Sequence, residues 1–166
     1  MDNRQTLIAD LDHEMAVTRR LIERVPEASL TWRPHEKSFS LGGLALHLAR
    51  LPHWGAQILT RTAYELTPVN PVPPPEPDTL AEVLDVFDCH VAEVRRELTE
   101  RPAAMLDEVW SLTRDGYRVL SLPRGAALRR FVIHHAIHHR GQLTVYLRML
   151  GTPLPPIYGG SADEAM

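Results

Sequence analysis

Four of the chain's nine histidines fall within one run of six residues, His134-His135-Ala136-Ile137-His138-His139. His135 and His139 stand one helical turn apart, the spacing at which two neutral imidazoles share a divalent ion in metalloprotease helices. Spacing alone is weak, since roughly half of one such pair is expected by chance at this histidine frequency. Direction says more. At about 100° per residue, Leu128, Val132, Leu143, Tyr146 and Leu150 mark an apolar arc, and His135 and His139 lie in its middle and point inward. His134 and His138 lie on a flank, where polar side chains are ordinarily exposed. A lone inward histidine would be read as bonded to a buried carbonyl or hydroxyl. For two adjacent ones a third ligand decides. His47 supplies a candidate, at the edge of the arc made by Leu44, Leu48 and Leu51, and His53 and His90 compete with it. His53 follows Pro52 and His90 lies off its stripe, so both read as rim residues, with His53 kept as a residue that could line the site. Gln142 and Tyr146 share the arc of His135 and His139 and are candidates to contact a substrate, the alternative being core packing with satisfied polar tips.

The elements that position these residues read as helices. Ile8, Leu11, Met15, Thr18, Ile22 and Val25 form one stripe from Asn3 to Val25, closed by Pro26. Ser40 is an N-cap for a second helix through Leu41, Leu44, Leu48 and Leu51. Pro52 should kink that helix, because it has no N–H and crowds the preceding turn, and the period resumes at Ile58 and Leu59. Six prolines (68, 71, 73, 74, 75 and 77) between Leu66 and Asp78 read as a stiff crossover. Asp78 or Thr79 caps a third helix through Leu80, Leu84, Phe87, Val91, Val94 and Leu98, which stops before Pro102. Between Glu108 and Leu122 the period changes, and Arg114-Asp115-Gly116 reads as the turn of a short hairpin. A fourth helix runs from Gly125 to Leu150, ended by Gly151 and Pro153. The expected architecture is all-α, a four-helix bundle in a single domain over 1–166, with 151–166 a non-helical tail.

Composition narrows the function classes. With 44% hydrophobic and 23% charged residues in 166, the chain is an ordinary globular domain with enough length to bury a core. A net charge of −3 argues against a phosphate-tracking nucleic-acid binder. Arg124, Arg129, Arg130 and Arg140 read as a solvated helix face. The one cysteine, Cys89, excludes an intrachain disulfide and reads as a small core residue. No signal-like or membrane-spanning apolar run is present at the start, so a cytoplasmic protein without membrane contact is expected.

The segment His135-Ala136-Ile137-His138-His139-Arg140-Gly141-Gln142-Leu143, running into Tyr146-Leu147-Arg148-Met149-Leu150-Gly151, closely resembles the fourth-helix signature of the DinB-like (DNA-damage-inducible) superfamily. Trp32-Arg33-Pro34-His35-Glu36-Lys37-Ser38 and Leu44-Ala45-Leu46-His47-Leu48-Ala49 resemble its first loop and second helix. The tail from Pro155 to Glu164 resembles that of one subgroup, with Gly160 where a proline often stands. The resemblance implies a four-helix bundle with one divalent metal on His47, His135 and His139. It also implies a broad range of activities, including thiol-dependent transferases and isomerases that use low-molecular-weight thiols.

Three neutral imidazoles leave the ion's two charges uncompensated and a coordination position open, the arrangement of catalytic rather than structural zinc. Such a centre activates a water or a thiol and polarises a carbonyl. Zinc is the first expectation, with nickel or iron also suited to imidazole. The expected function is a metal-dependent enzyme, a thiol-transferase, isomerase or hydrolase, acting on a small molecule. The other reading is a non-catalytic stress or interaction protein with a structural metal. No general base is assigned. The stripe Ile133, Ile137, Gly141 and Thr144, opposite the metal face, is expected to be covered by a second copy in a homodimer or by the tail.

Overall fold

The computed structural model describes residues 3–66 and 76–165. In chain order these form α1 (Asn3–Ile22), α2 (Leu41–Thr60), β1 (Ala63–Leu66), α3 (Leu80–Glu100), β2 (Val109–Arg114), β3 (Tyr117–Pro123), α4 (Arg124–Leu128), a π-helical segment (Arg129–His134) and α5 (His135–Met149). The proline-rich crossover lies largely in 67–75, outside the described residues. α2 packs along α3 and against α5, and α1 packs against α3 and α5. Leu7, Leu11, Leu21, Leu44, Leu48, Phe87, Val94, Leu143 and Leu147 belong to the shared core.

Helix boundaries follow local chemistry. The Ser40 hydroxyl accepts from the Gly43 N–H and opens α2, and Thr79 accepts from Glu82 N–H and opens α3. Gly151 adopts φ +72°, while Gly151 N–H donates to Arg148 O and Thr152 N–H to Leu147 O, the paired bonds of a Schellman ending. α2 runs unbroken through Pro52. Near that proline, His90 Nδ1 donates to the Ala49 carbonyl at 3.0 Å, a bond from α3 beside the donor that Pro52 lacks. The α2–α3 approach is close at Gly55, where a Cβ would stand 2.3 Å from Val94 Cγ2.

The all-α expectation needs correction. The hairpin is present, with Asp115 (φ 52°) and Gly116 (φ 77°) forming its two-residue turn, the positive pair that a primed hairpin turn requires. β1 adds to it, parallel to β2 in register Ala63↔Ser111 to Leu66↔Arg114, so the chain is mostly helical with a three-stranded sheet in the order β1-β2-β3. Trp110, fully buried, and Leu112 turn the inner face of β2 into the core.

Two further readings change. Cys89 is exposed rather than packed. Arg124 and Arg140 are buried instead of solvated. The Arg124 guanidinium donates to the carbonyls of Ile58 and Arg61, so it satisfies the open carbonyl end of α2 from across the fold. Arg129 pairs with Asp10 at 2.6 Å, and Arg130 stays exposed.

The tail is non-helical and tied down. Asp163 meets Arg148 at 2.6 Å, Glu164 meets Arg24 at 2.7 Å, and Tyr158 reaches Arg140 and Glu14. Arg140 and Arg148 anchor the tail along α5. A Cβ built on Gly141 meets nothing within 4 Å, so no described residue packs closely on that glycine. No helix among the described residues is long and apolar enough to cross a membrane.

Candidate metal centre

His47 comes from the middle of α2, and His135 and His139 from the first two turns of α5. Each offers one ring nitrogen to a cluster whose three ligand atoms lie within 4.8 Å of one another. The His47 ring centroid stands 4.5 Å from that of His139 and 5.3 Å from that of His135. His135 Nε2 and His139 Nε2 are 3.0 Å apart, close enough to share one ion. The π segment ends where His135 begins. Such widened turns are common at functional sites, and the backbone of Phe131, inside this one, hydrogen-bonds His135.

The tautomers follow from the neighbours. His139 Nδ1–H donates to Gln142 Oε1 at 3.0 Å, which leaves Nε2 as a lone pair facing the cluster. Gln142 in turn donates from Nε2 to the Tyr146 hydroxyl at 3.1 Å, and Tyr146 sits edge-on to Trp32 at 5.7 Å. Phe39 stacks on His47 at 5.5 Å and 16°, walling one side. His47 Nε2 is buried and has no hydrogen-bond partner. A buried polar atom left unpaired costs about 1–3 kcal/mol, and a cation held jointly with His135 and His139 would remove that cost. The residues present therefore fit a divalent ion.

Electrostatics agree. Burial, with the positive charge of His139, His135 and Arg50 behind it, pushes His47 down to about 4. Burial also lowers His135, helped by His139 and His138, and lowers His139 against the opposing bond from Gln142. All three are neutral near pH 7, the form a metal ligand requires.

The competing histidines lie elsewhere. His53 Nδ1 is 3.1 Å from Glu93 Oε2 and its Nε2 is 3.0 Å from Gln57, while His90 is spent on Ala49, so both belong to the α2–α3 face. His134 and His138 are exposed. Gln142 and Tyr146, singled out as substrate contacts, stand behind His139 as its orienting chain. Two features escaped the sequence reading. Phe39, in the loop before α2, had no periodicity to mark it, and Arg140, beside His139, looked like one more helix arginine. Arg140 is in fact bonded to Glu14 at 2.7 Å with side-chain exposures of 2% and 12%.

A sequence model of the DinB family matches residues 1–165. The uncharacterized protein YjoA of Bacillus subtilis (strain 168) is 26% identical over 142 residues, covering 86% of this chain and 87% of its own. The uncharacterized protein YrdA of the same organism is 46% identical over 43 residues, a match that spans only 26% of this chain and 25% of YrdA. Among solved structures, the DinB-like protein YjoA of B. subtilis superposes with a TM-score of 0.69 at 22% identity, over 97% of this chain and 99% of that one. A DinB-like protein from Bacillus cereus ATCC 10987 superposes with a TM-score of 0.68 at 19% identity, over 93% and 97%. At these identities the superpositions speak for the fold alone.

Proposed function

This chain belongs to the DinB family, and from that premise we propose that it is a single-domain, four-helix-bundle metalloprotein with one divalent ion on His47, His135 and His139, built for metal-dependent chemistry on a small molecule. The observation that carries the reading is the buried His47 Nε2, unpartnered among the described residues, on a ring packed against two further imidazoles, of which His139 has its Nε2 freed by Gln142. When bound, zinc or nickel would supply Lewis acidity for activating a thiol or a water, which suits transfer of a low-molecular-weight thiol, isomerisation, or hydrolysis. The chain's own residues do the rest. Gln142 and Tyr146 hold the His139 ring, Phe39 and Trp32 exclude water from one side, and the Phe131 backbone orients His135. The same neutrality that favours a cation argues for an enzyme over a purely structural centre, because three uncharged ligands leave the ion's charge for a fourth, anionic partner.

The test is metal titration of protein prepared without an affinity tag and stripped with chelator. One zinc or nickel per chain is expected, with His47→Ala, His135→Ala and His139→Ala each weakening uptake at least tenfold and His53→Ala leaving it unchanged. Uptake indifferent to all three substitutions would end the proposal. Loaded protein is then screened with pairs of thiol and electrophile, and turnover that is lost in His47→Ala is the expected sign of catalysis.

A further inference from the structure

Past the histidines, α2 stays in contact with the π segment. On α2, His47, Arg50 and Trp54 follow one another at i, i+3 and i+7, and the facing helix presents Phe131, His135 and His139 at i, i+4 and i+8. Both ends of this ladder touch. His47 meets His135 and His139 as described, and Trp54 stacks on Phe131 at 5.9 Å and 20°, backed by Tyr64 at 4.7 Å. Arg50 stands one turn from each of the two α2 residues that make these contacts, where neighbouring helix side chains are about 5–6 Å apart at Cβ. It is exposed, and among the described residues it forms no ion pair and no hydrogen bond. Carboxylates presented to the two ends of α2 are already engaged. Glu93 bonds His53, and Glu76 bonds Ser40 and Arg33. His134 at the end of the π segment and His138 on α5 bring no acid either. A cation on neutral ligands and an exposed guanidinium one turn away, with Glu93 and Glu76 engaged elsewhere, make a face short of negative charge.

We propose that Arg50 is the anion-recognition residue of this face, and that the substrate is a small oxyanion whose apolar body lies beside Trp54, Phe131 and Tyr64. The guanidinium fork matches a carboxylate or a phosphate in two parallel hydrogen bonds, and the half-buried rings of Trp54, Phe131 and Tyr64 leave apolar edges beside it for a substrate body. The inference rests on the metal-centre reading and adds a substrate class to it. The positive charge of Arg50 is felt at His47, which agrees with its nearness to the centre.

The experiment is calorimetric titration of the full chain, both metal-free and zinc-loaded, with 3-phenylpropanoate, 2-phenylethylphosphonate and the neutral 3-phenylpropanamide. Metal-free wild type is expected to bind at least one of the two anions about tenfold or more tighter than the amide, as a charge-assisted bond to arginine provides. Which anion gains more distinguishes a carboxylate from a phosphate substrate. Arg50→Gln closes the gap and leaves the amide unchanged, while Trp54→Ala, checked for fold by circular dichroism, weakens all three ligands alike. A gap that survives in Arg50→Gln, or that is absent from metal-free wild type, overturns the assignment. An anion preference seen only with zinc and kept by Arg50→Gln gives the anion to the ion, which refutes the role of Arg50 and leaves the metal centre standing. Failure of zinc to bind is read in its own titration and sinks the metal reading, while the metal-free comparison decides Arg50 independently.

Discussion

Glu14→Ala should be among the most damaging substitutions outside the histidine cluster. Arg140 Nη2 lies 2.7 Å from Glu14 Oε2, with side-chain exposures of 2% and 12%. The Tyr158 hydroxyl donates to the same carboxylate at 2.9 and 3.0 Å and accepts from Arg140 at 2.6 Å. Removing one partner of a buried pair costs about 3–5 kcal/mol, chiefly because the other charge is left buried without compensation. Arg140 would keep its bonds to the Glu14 carbonyl at 3.1 Å and to Thr18 Oγ1 at 3.4 Å, since neither depends on the lost carboxylate. The lower end, about 3 kcal/mol, is therefore expected, a large share of the roughly 5–15 kcal/mol that stabilises an ordinary domain. Replacing the pair together, as Glu14→Leu with Arg140→Met, removes both the attraction and the orphaned charge and should recover most of the loss. The assay is urea denaturation of metal-free protein at pH 7 for the wild type, Glu14→Ala, Glu14→Leu, Arg140→Met and the Glu14→Leu/Arg140→Met double variant, the last three read against wild type as a double-mutant cycle. A loss under about 1 kcal/mol for Glu14→Ala, or a double variant that merely sums the single losses, would refute the reasoning.

Gly55→Ala places a Cβ 2.3 Å from Val94 Cγ2 and 3.2 Å from Val94 Cβ. Overpacking of about 1–3 kcal/mol should exceed the roughly 1 kcal/mol gained in helix propensity, and the sign should reverse in a Val94→Ala background, measured by the same denaturation. Stability of metal-free protein should fall with acid. An unfolded His47 takes a proton near 6.5 whereas the folded one resists until about 4, so the unfolded state binds more protons throughout that window and folding weakens as pH drops through it. Urea midpoints at pH 7, 6 and 5 in chelator should show a shallower fall for His47→Gln, and parallel curves for the two proteins would contradict the assigned cause.

The helices and the cluster were legible because their signals are local. Ser40, Thr79 and Gly151 act within a few residues of themselves, and the inward direction of His135 and His139 follows from helical period alone. Asp115-Gly116 likewise announces its own turn. Other findings came only with the packed fold. β1 is four residues long and pairs in parallel with residues 48 positions later, so no local pattern marks it. Arg124 and Arg140 look like surface residues until the α2 carbonyls and Glu14 arrive to take their charges. Cys89 continues an apolar stretch in sequence, but it lies exposed on α3. Gln142 shares the inward arc of His135 and His139, yet only the packed helix shows it holding the His139 ring. A buried charge or an orienting bond has no signature in one chain segment, because its meaning is the partner that folding brings to it.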